Sequence, residues 1–181
     1  MNEFIFFIIK CIYFMLPAYL ANMMPVFAKK INFLNIPVDF NKKWKGKPIL
    51  GSHKTWRGLF FGVLAGIIIA YIQFLLYKFP SFANVSFIDY SKWFLIGLLL
   101  SSGALAGDMA ESFFKRRADI KPGKPFIPWD QLDYAVGAVL FVFIVYPLSF
   151  LQIITILLIS FLGHILFSHI GYYLKLKKVK W

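Results

Sequence analysis

Charge, cysteine and arginine are all scarce in this 181-residue chain. Only 15% of the residues are charged and 60% are hydrophobic, with 22 phenylalanines and a mean hydropathy of +0.69. That composition is not an ordinary soluble surface, and it places the chain in the membrane class. The one cysteine, Cys11, sits in an apolar run, so a disulfide framework is excluded. No serine elbow is present, and Cys11 in its apolar run is no nucleophile with a base. The charged stretches hold no cluster of histidine and cysteine, which argues against zinc. The first apolar stretch contains Lys10 and has no small-residue cleavage site, so it reads as a retained span. Acidic residues number eight against twenty basic ones, for a net charge of +12. Because the apolar runs are nearly neutral, that charge is confined to a few loops. There it meets anionic lipid, a phosphate-bearing ligand, or both. The basic loops lack the aromatic platforms and soluble fold of a nucleic-acid binder, so no nucleic acid is expected as a partner.

What the chain does have is long apolar runs. Crossing a hydrocarbon core of about 30 Å takes about 20 such residues. Five spans are predicted, at 3–24, 58–78, 93–111, 133–149 and 150–173. Lys10 and Pro17 make the first the least regular; neighbouring helices can satisfy the carbonyl that a proline frees. From Tyr134 to Tyr173 the chain is too long for one span, and Pro147 marks the turn. The predicted fold class is therefore all-α, a polytopic membrane protein with 1–181 as a single integral-membrane domain. Lysine and arginine number eight in the connection 25–57, five in 112–132 and four in the tail 174–181. The second connection has only Lys78 and Lys92 at its edges, and the fourth has none. The positive-inside rule puts 25–57, 112–132 and the tail in the cytoplasm, with the N-terminus outside. Gly58, Gly62 and Gly66 recur every four positions, as do Gly103 and Gly107. Such faces let helices approach closely in lipid, and here they should hold the start of the second span near the third.

Five of the eight acidic residues fall between Asp108 and Asp133, together with five basic ones. On a continuing helix Asp108, Ser112 and Lys115 share one face, with Glu111 beside them. A carboxylate at the end of an apolar span needs a partner, a metal or water. It reads either as part of a site or as an interfacial acid paired with Lys115 or Arg116. Asp130 and Asp133 are spaced to point the same way on an incipient helix, although Asp130 also suits a helix cap. Oxygen ligands contributed by two spans suit Mg²⁺. All three arginines lie in the basic connections: Arg57 in the first, Arg116 and Arg117 in the third. Their planar forks match phosphate in a way that lysine cannot, although positive-inside topology alone would explain their sign. Lys121, Lys124 and the tail lysines read as contacts with anionic headgroups of membrane lipids. His164 and His169 read as satisfying hydrogen bonds within the bundle. Carboxylates for Mg²⁺ and clustered arginine at a membrane suggest phosphoryl or nucleotidyl transfer onto a lipid. A phosphate monoester acceptor, with a second pKa of about 6, would need no protein base.

The motifs PVDF, GSHKTWRG, GDMAESFFKRRADIKPG, DQLDYAVGA and the terminal GYYLKLKKVKW occur in this order over essentially the whole chain. Together they resemble the archaeal CDP-archaeol synthase family, five-span CTP-dependent cytidylyltransferases related to the CDP-diacylglycerol synthases. The resemblance implies that CTP and a phosphorylated isoprenoid glycerol diether give a CDP-activated lipid and pyrophosphate, with Mg²⁺ as cofactor. It implies that Asp108, Asp130 and Asp133, with Glu111, hold the metal. Lys54, Arg57, Lys115, Arg116 and Arg117 would bind phosphates, and Ser52, Thr55 and Ser112 would line the same pocket. Asp108, Asp130, Asp133, Lys115 and Arg116 form the expected catalytic set. A CDP-alcohol phosphatidyltransferase would carry a denser array of aspartates on adjacent helices, which is not seen. A transporter of anionic solutes would place its charges at mid-membrane across two repeats.

Overall fold

Six α-helices and one small hairpin make up the computed structural model, which describes residues 3–121 and 123–173. The helices are α1 (Glu3–Phe27), α2 (Trp56–Leu76), α3 (Pro80–Val85), α4 (Trp93–Arg117), α5 (Trp129–Phe143) and α6 (Phe150–Tyr173). Local chemistry sets several of their ends. Thr55 caps α2, its Oγ1 accepting from the Gly58 N–H at 3.2 Å. Ser149 and Gln152 form a reciprocal capping box at the start of α6, with bonds of 2.8 and 3.3 Å. Four helices, α1, α2, α4 and α6, are long and apolar enough to cross a membrane. The basic tail 174–181, assigned to the cytoplasm from sequence, lies outside the described residues.

Two boundaries differ from expectation in ways that matter for the site. Helix α4 does not stop at residue 111 but runs on to Arg117, so Asp108, Glu111, Ser112 and Lys115 share one continuous helix. Helix α5 starts at Trp129 and ends at Phe143, so the expected span 133–149 ends in a turn rather than a helix. Pro147 sits in that turn, and the Tyr146 hydroxyl donates to the Phe87 carbonyl at 3.0 Å.

The bundle is arranged for lipid rather than water. Its core mixes small residues (Ala18, Ala70, Ala104, Ala135, Ala138) with Phe14, Met15, Tyr90 and Leu100. Its large aliphatic and aromatic side chains face outward, as Leu140, Phe150 and Phe167 do. Helix α4 is central, packed against α5, α2 and α1, while α6 rests on α5 and α1. Glycine makes the α4–α5 crossing possible. A Cβ on Gly107 would strike the Asp133 carbonyl, and one on Gly137 would strike the carbonyl of Gly103. Gly62 and Gly66 instead face α1 and α4, at Ala21, Leu105, Pro17 and Ser101. The glycines of α4 at 103 and 107 therefore hold α5, not α2, and Gly137 completes the contact.

The first connection is an ordered cap over one end of the bundle. Residues 31–38 are strapped to the start of α2: Trp56 and Arg57 donate backbone N–H bonds to Ile36 and Leu34, each 2.9 Å. Arg57, buried, donates from Nη1 to the Ile31 carbonyl at 2.7 Å. Asp39 organises the middle of the cap. Its carboxylate accepts from the N–H groups of Leu50 (2.8 Å), Gly51 (3.1 Å) and Asn41 (3.0 Å). Burial alone would raise its pKa, but these amides outweigh burial and hold it below the usual carboxylate value. Between them β1 (Lys43–Trp44) and β2 (Lys47–Pro48) form an antiparallel hairpin, turned by Lys45 and Gly46 at φ 50° and 77°. Both turn residues lie in the left-handed region that such tight hairpins require.

Candidate active site

The cap, α4 and α5 enclose a cavity of about 310 Å³. Arg117 fixes the hairpin to the end of α4. Its guanidinium donates to the carbonyls of Trp44 (2.8 Å), Lys47 (3.2 Å) and Pro48. It also lies over the rings of Trp44 and Phe113, which stack on each other at 5.6 Å. Lys47 returns the grip, donating to the Arg117 carbonyl and pairing with Asp119. With the hairpin held there, the segment after it brings Lys54 to Asp108, Nζ to Oδ2 at 2.5 Å.

Four carboxylates line the cavity: Asp108 and Glu111 from α4, Asp130 and Asp133 from α5. The α4–α5 glycine crossing brings these two pairs together, because it sets the Asp133 backbone directly on Gly107. Four cations line it as well: Lys54, Lys115, Arg116 and Lys124. Lys115 bridges the two helices, 2.8 Å from Glu111 and 2.5 Å from Asp130. The other Asp130 oxygen accepts from the Phe126 N–H at 2.8 Å, which tethers the incoming loop to the first turn of α5. That bond reaches back before the helix, so Asp130 is a tether within the first turn and Pro128 takes the cap position. Asp133 accepts from the Tyr134 N–H at 2.6 Å. Ser112, buried beside Glu111, completes the α4 wall.

The expected site residues thus divide. Asp108, Glu111, Ser112, Lys115, Arg116, Asp130, Asp133 and Lys54 are gathered on one cavity. Ser52, Thr55, Arg57 and Arg117 are not among the described residues lining it. Thr55 is committed to capping α2, Ser52 is exposed on the cap, and Arg57 and Arg117 hold backbone carbonyls. The planar fork is used at Arg117, on the hairpin's own carbonyls, whereas Arg57 gives one bond to the Ile31 carbonyl. Sequence reasoning also passed over Asn22 of α1, and it gave Lys124 to lipid headgroups and His164 to the bundle. All three line the cavity. An amide within an apolar span was the one available signal for Asn22; nothing in the sequence singled out the others.

The donor set suits a hard divalent cation. Every candidate ligand is a carboxylate oxygen, and the Lys115 ammonium already sits between carboxylates of two helices. Among the described residues no three of these groups are placed to hold one metal ion together. A Mg²⁺ site does not need three, since this ion keeps several waters and takes one or two carboxylates with substrate phosphates.

Comparison with known proteins accords with this geometry. The sequence matches the CarS-like family, described as CDP-archaeol synthase, over residues 4–181. It is 37% identical over 180 residues to the CDP-archaeol synthase of Methanococcus aeolicus, covering 98% of each chain. It is 34% identical to that of Pyrococcus furiosus (96% of this chain, 98% of the other) and 36% to that of Methanocaldococcus jannaschii (94% and 95%). A solved structure described as an intramembrane enzyme for archaeal membrane lipids biosynthesis superposes with a TM-score of 0.73 at 31% identity, covering 87% of this chain and 91% of the other. With its apolar helices, its carboxylate-lined cavity and matches over nearly its full length, this chain is a multi-pass membrane protein that belongs to the CDP-archaeol synthase family.

Proposed function

We propose that the protein transfers the cytidylyl group of CTP to a phosphorylated isoprenoid glycerol diether, 2,3-bis-O-geranylgeranyl-sn-glycerol 1-phosphate, releasing pyrophosphate. The observation that carries this reading is one cavity lined by four carboxylates and four cations at the end of an apolar bundle. An oxygen of the lipid phosphate attacks the α-phosphorus of CTP. The bond from that phosphorus to the oxygen bridging to the β-phosphate breaks, and pyrophosphate leaves with the electron pair. The nucleophile is already an anion near neutral pH, so no protein base is required. The protein's part is to bring two anions into line and to offset their charge.

Mg²⁺ would be held by one or two carboxylates drawn from Asp108, Glu111, Asp130 and Asp133, together with substrate phosphates. When bound, the ion neutralises the developing charge on the phosphate oxygens. Lys54 and Lys115 pair with these carboxylates. With a cation on the carboxylates, both lysines would be available to phosphate, beside Arg116 and Lys124. The whole of 1–181 acts as one catalytic domain of five spans. Helix α5 serves as the fourth span, joined to α6 by a connection without lysine or arginine. The loop charges support an N-terminus outside and the site on the cytoplasmic face of the cell membrane, where CTP is available.

Purified protein in vesicles with labelled CTP, Mg²⁺ and the diether phosphate should yield label in extractable lipid, and phosphatidic acid serves as the competing acceptor. Asp133→Asn should abolish transfer while the protein remains extractable as a folded membrane protein. Near-wild-type turnover by that variant would sink the carboxylate assignment.

A further inference from the structure

Two residues of the cavity wall, Asn22 of α1 and His164 of α6, have no part in the proposed transfer. Asn22 lies five residues before the end of α1, and His164 lies on α6, four residues beyond Ser160. At a rise of about 1.5 Å per residue Asn22 is roughly 7.5 Å inside α1. Asp108 lies nine residues before the end of α4 and is reached from the cap by Lys54. Lys124, Gly51 and His53, by contrast, come from the connections that cover the opening.

A clamp just beneath this level sets the register of three helices. The Tyr19 hydroxyl of α1 and the Ser160 Oγ of α6 lie 3.0 Å apart. The Tyr134 hydroxyl of α5 donates to the Ser160 carbonyl at 3.2 Å, and the two tyrosine rings meet edge to face at 6.0 Å. Asn22 stands three residues beyond Tyr19, His164 four beyond Ser160, and Asp130 four before Tyr134. On a helix each of these steps returns to the same face, one turn nearer the cavity. The clamp therefore sets the Asn22 amide and the His164 imidazole, from two helices, into the cavity wall, with Asp130 on the first turn of a third.

From this geometry we infer that Asn22 and His164 recognise the phosphate headgroup of the lipid substrate, while the loop-side cations serve CTP. The inference rests on the proposed cytidylyl transfer and adds a division of the cavity between its two substrates. CTP comes from water and meets Lys124 and Arg116 first, with Lys54 held at Asp108 behind them. The lipid phosphate is tied to chains in the bilayer and reaches the cavity from the helix side. An amide and an imidazole each donate to a phosphate oxygen without placing a lysine or arginine deep in an apolar helix, where a full charge is costly.

The experiment compares His164→Gln, His164→Leu and Asn22→Ala with wild-type protein in vesicles of fixed composition. The Michaelis constants for diether phosphate and for CTP are measured separately, with direct CTP binding alongside. Losing a hydrogen bond to a charged group should raise the lipid constant roughly tenfold or more in His164→Leu and Asn22→Ala. His164→Gln, which keeps a donor, should fall between. The CTP constant and CTP binding should stay within about twofold of wild type, as set by the separate loop-side contacts. An unchanged lipid constant overturns the inference, and so does a weakening confined to CTP. A variant that loses CTP binding together with thermal stability also overturns it, because the residue would then be holding the bundle. Absence of transfer by the wild-type protein would instead refute the proposed reaction.

Discussion

Gly103→Ala tests whether the α4–α5 crossing is what makes the site. A Cβ at this position would stand 2.5 Å from the Gly137 carbonyl oxygen, 2.8 Å from the Phe141 Cβ and 3.0 Å from the Ala138 Cα. Two of these are backbone atoms, so no side-chain rotation relieves them. Ordinary contact begins at 3.4 Å, and the closest approach falls short of that by 0.9 Å, so the two backbones must part by about that distance. Overpacking of this kind costs typically about 1–3 kcal/mol. The larger effect should be on the chemistry, since Asp108 follows Gly103 on α4 and Asp133 precedes Gly137 on α5. A displacement near 1 Å can cost about 100-fold in rate. The expected result is a thermal midpoint lowered by several degrees and kcat reduced about 100-fold, with the protein still folded in detergent. Gly163→Ala on α6 is the control, because a Cβ there meets nothing within 4 Å, and it should leave both measurements unchanged. Wild-type turnover and stability in Gly103→Ala would refute the argument that glycine packing builds the site.

Arg117→Lys should release the hairpin, since lysine cannot span three carbonyls or lie flat over Trp44 and Phe113. Trypsin should then cut after Lys43 and Lys45 far faster than in wild-type protein, and the CTP constant should rise as Lys54 loses its support. Asp39 is depressed in the folded chain, so its contribution is complete above the unfolded carboxylate value of about 3.9 and is lost as pH falls through the lower folded value. Pepsin resistance of residues 36–51 should therefore persist to about pH 4 and decline below it; in Asp39→Asn it should be weak and nearly flat with pH. Removing divalent cations with EDTA should abolish transfer, and adding Mg²⁺ back should restore it. Transfer that persists in EDTA would contradict the role given to the carboxylates.

The predictable part of this protein was the part governed by solvent. Five apolar runs and a lopsided charge distribution follow from what lipid will and will not accept, and each run contains a helix at close to the expected place. The gathering of Asp108, Glu111, Asp130 and Asp133 was legible too, because carboxylates at the ends of apolar helices have few tolerable positions other than a shared polar cavity. The uses of individual basic residues were not legible. Arg57, Arg116 and Arg117 look alike in the sequence, yet only Arg116 lines the cavity, because the other two satisfy carbonyls of a cap whose course depends on Asp39 and on a two-residue turn. Neither feature has a periodicity to read. Glycine shows the same limit. The four-residue spacing announced close packing, but which helix each glycine meets is decided by three-dimensional order, and Gly137 stands alone on α5 with no repeat to mark it. That unmarked glycine sits between the Gly103 carbonyl and the Gly107 backbone. It therefore governs how near Asp133 can come to Asp108, and a short charged stretch becomes a site only because the helix backbones behind it can touch.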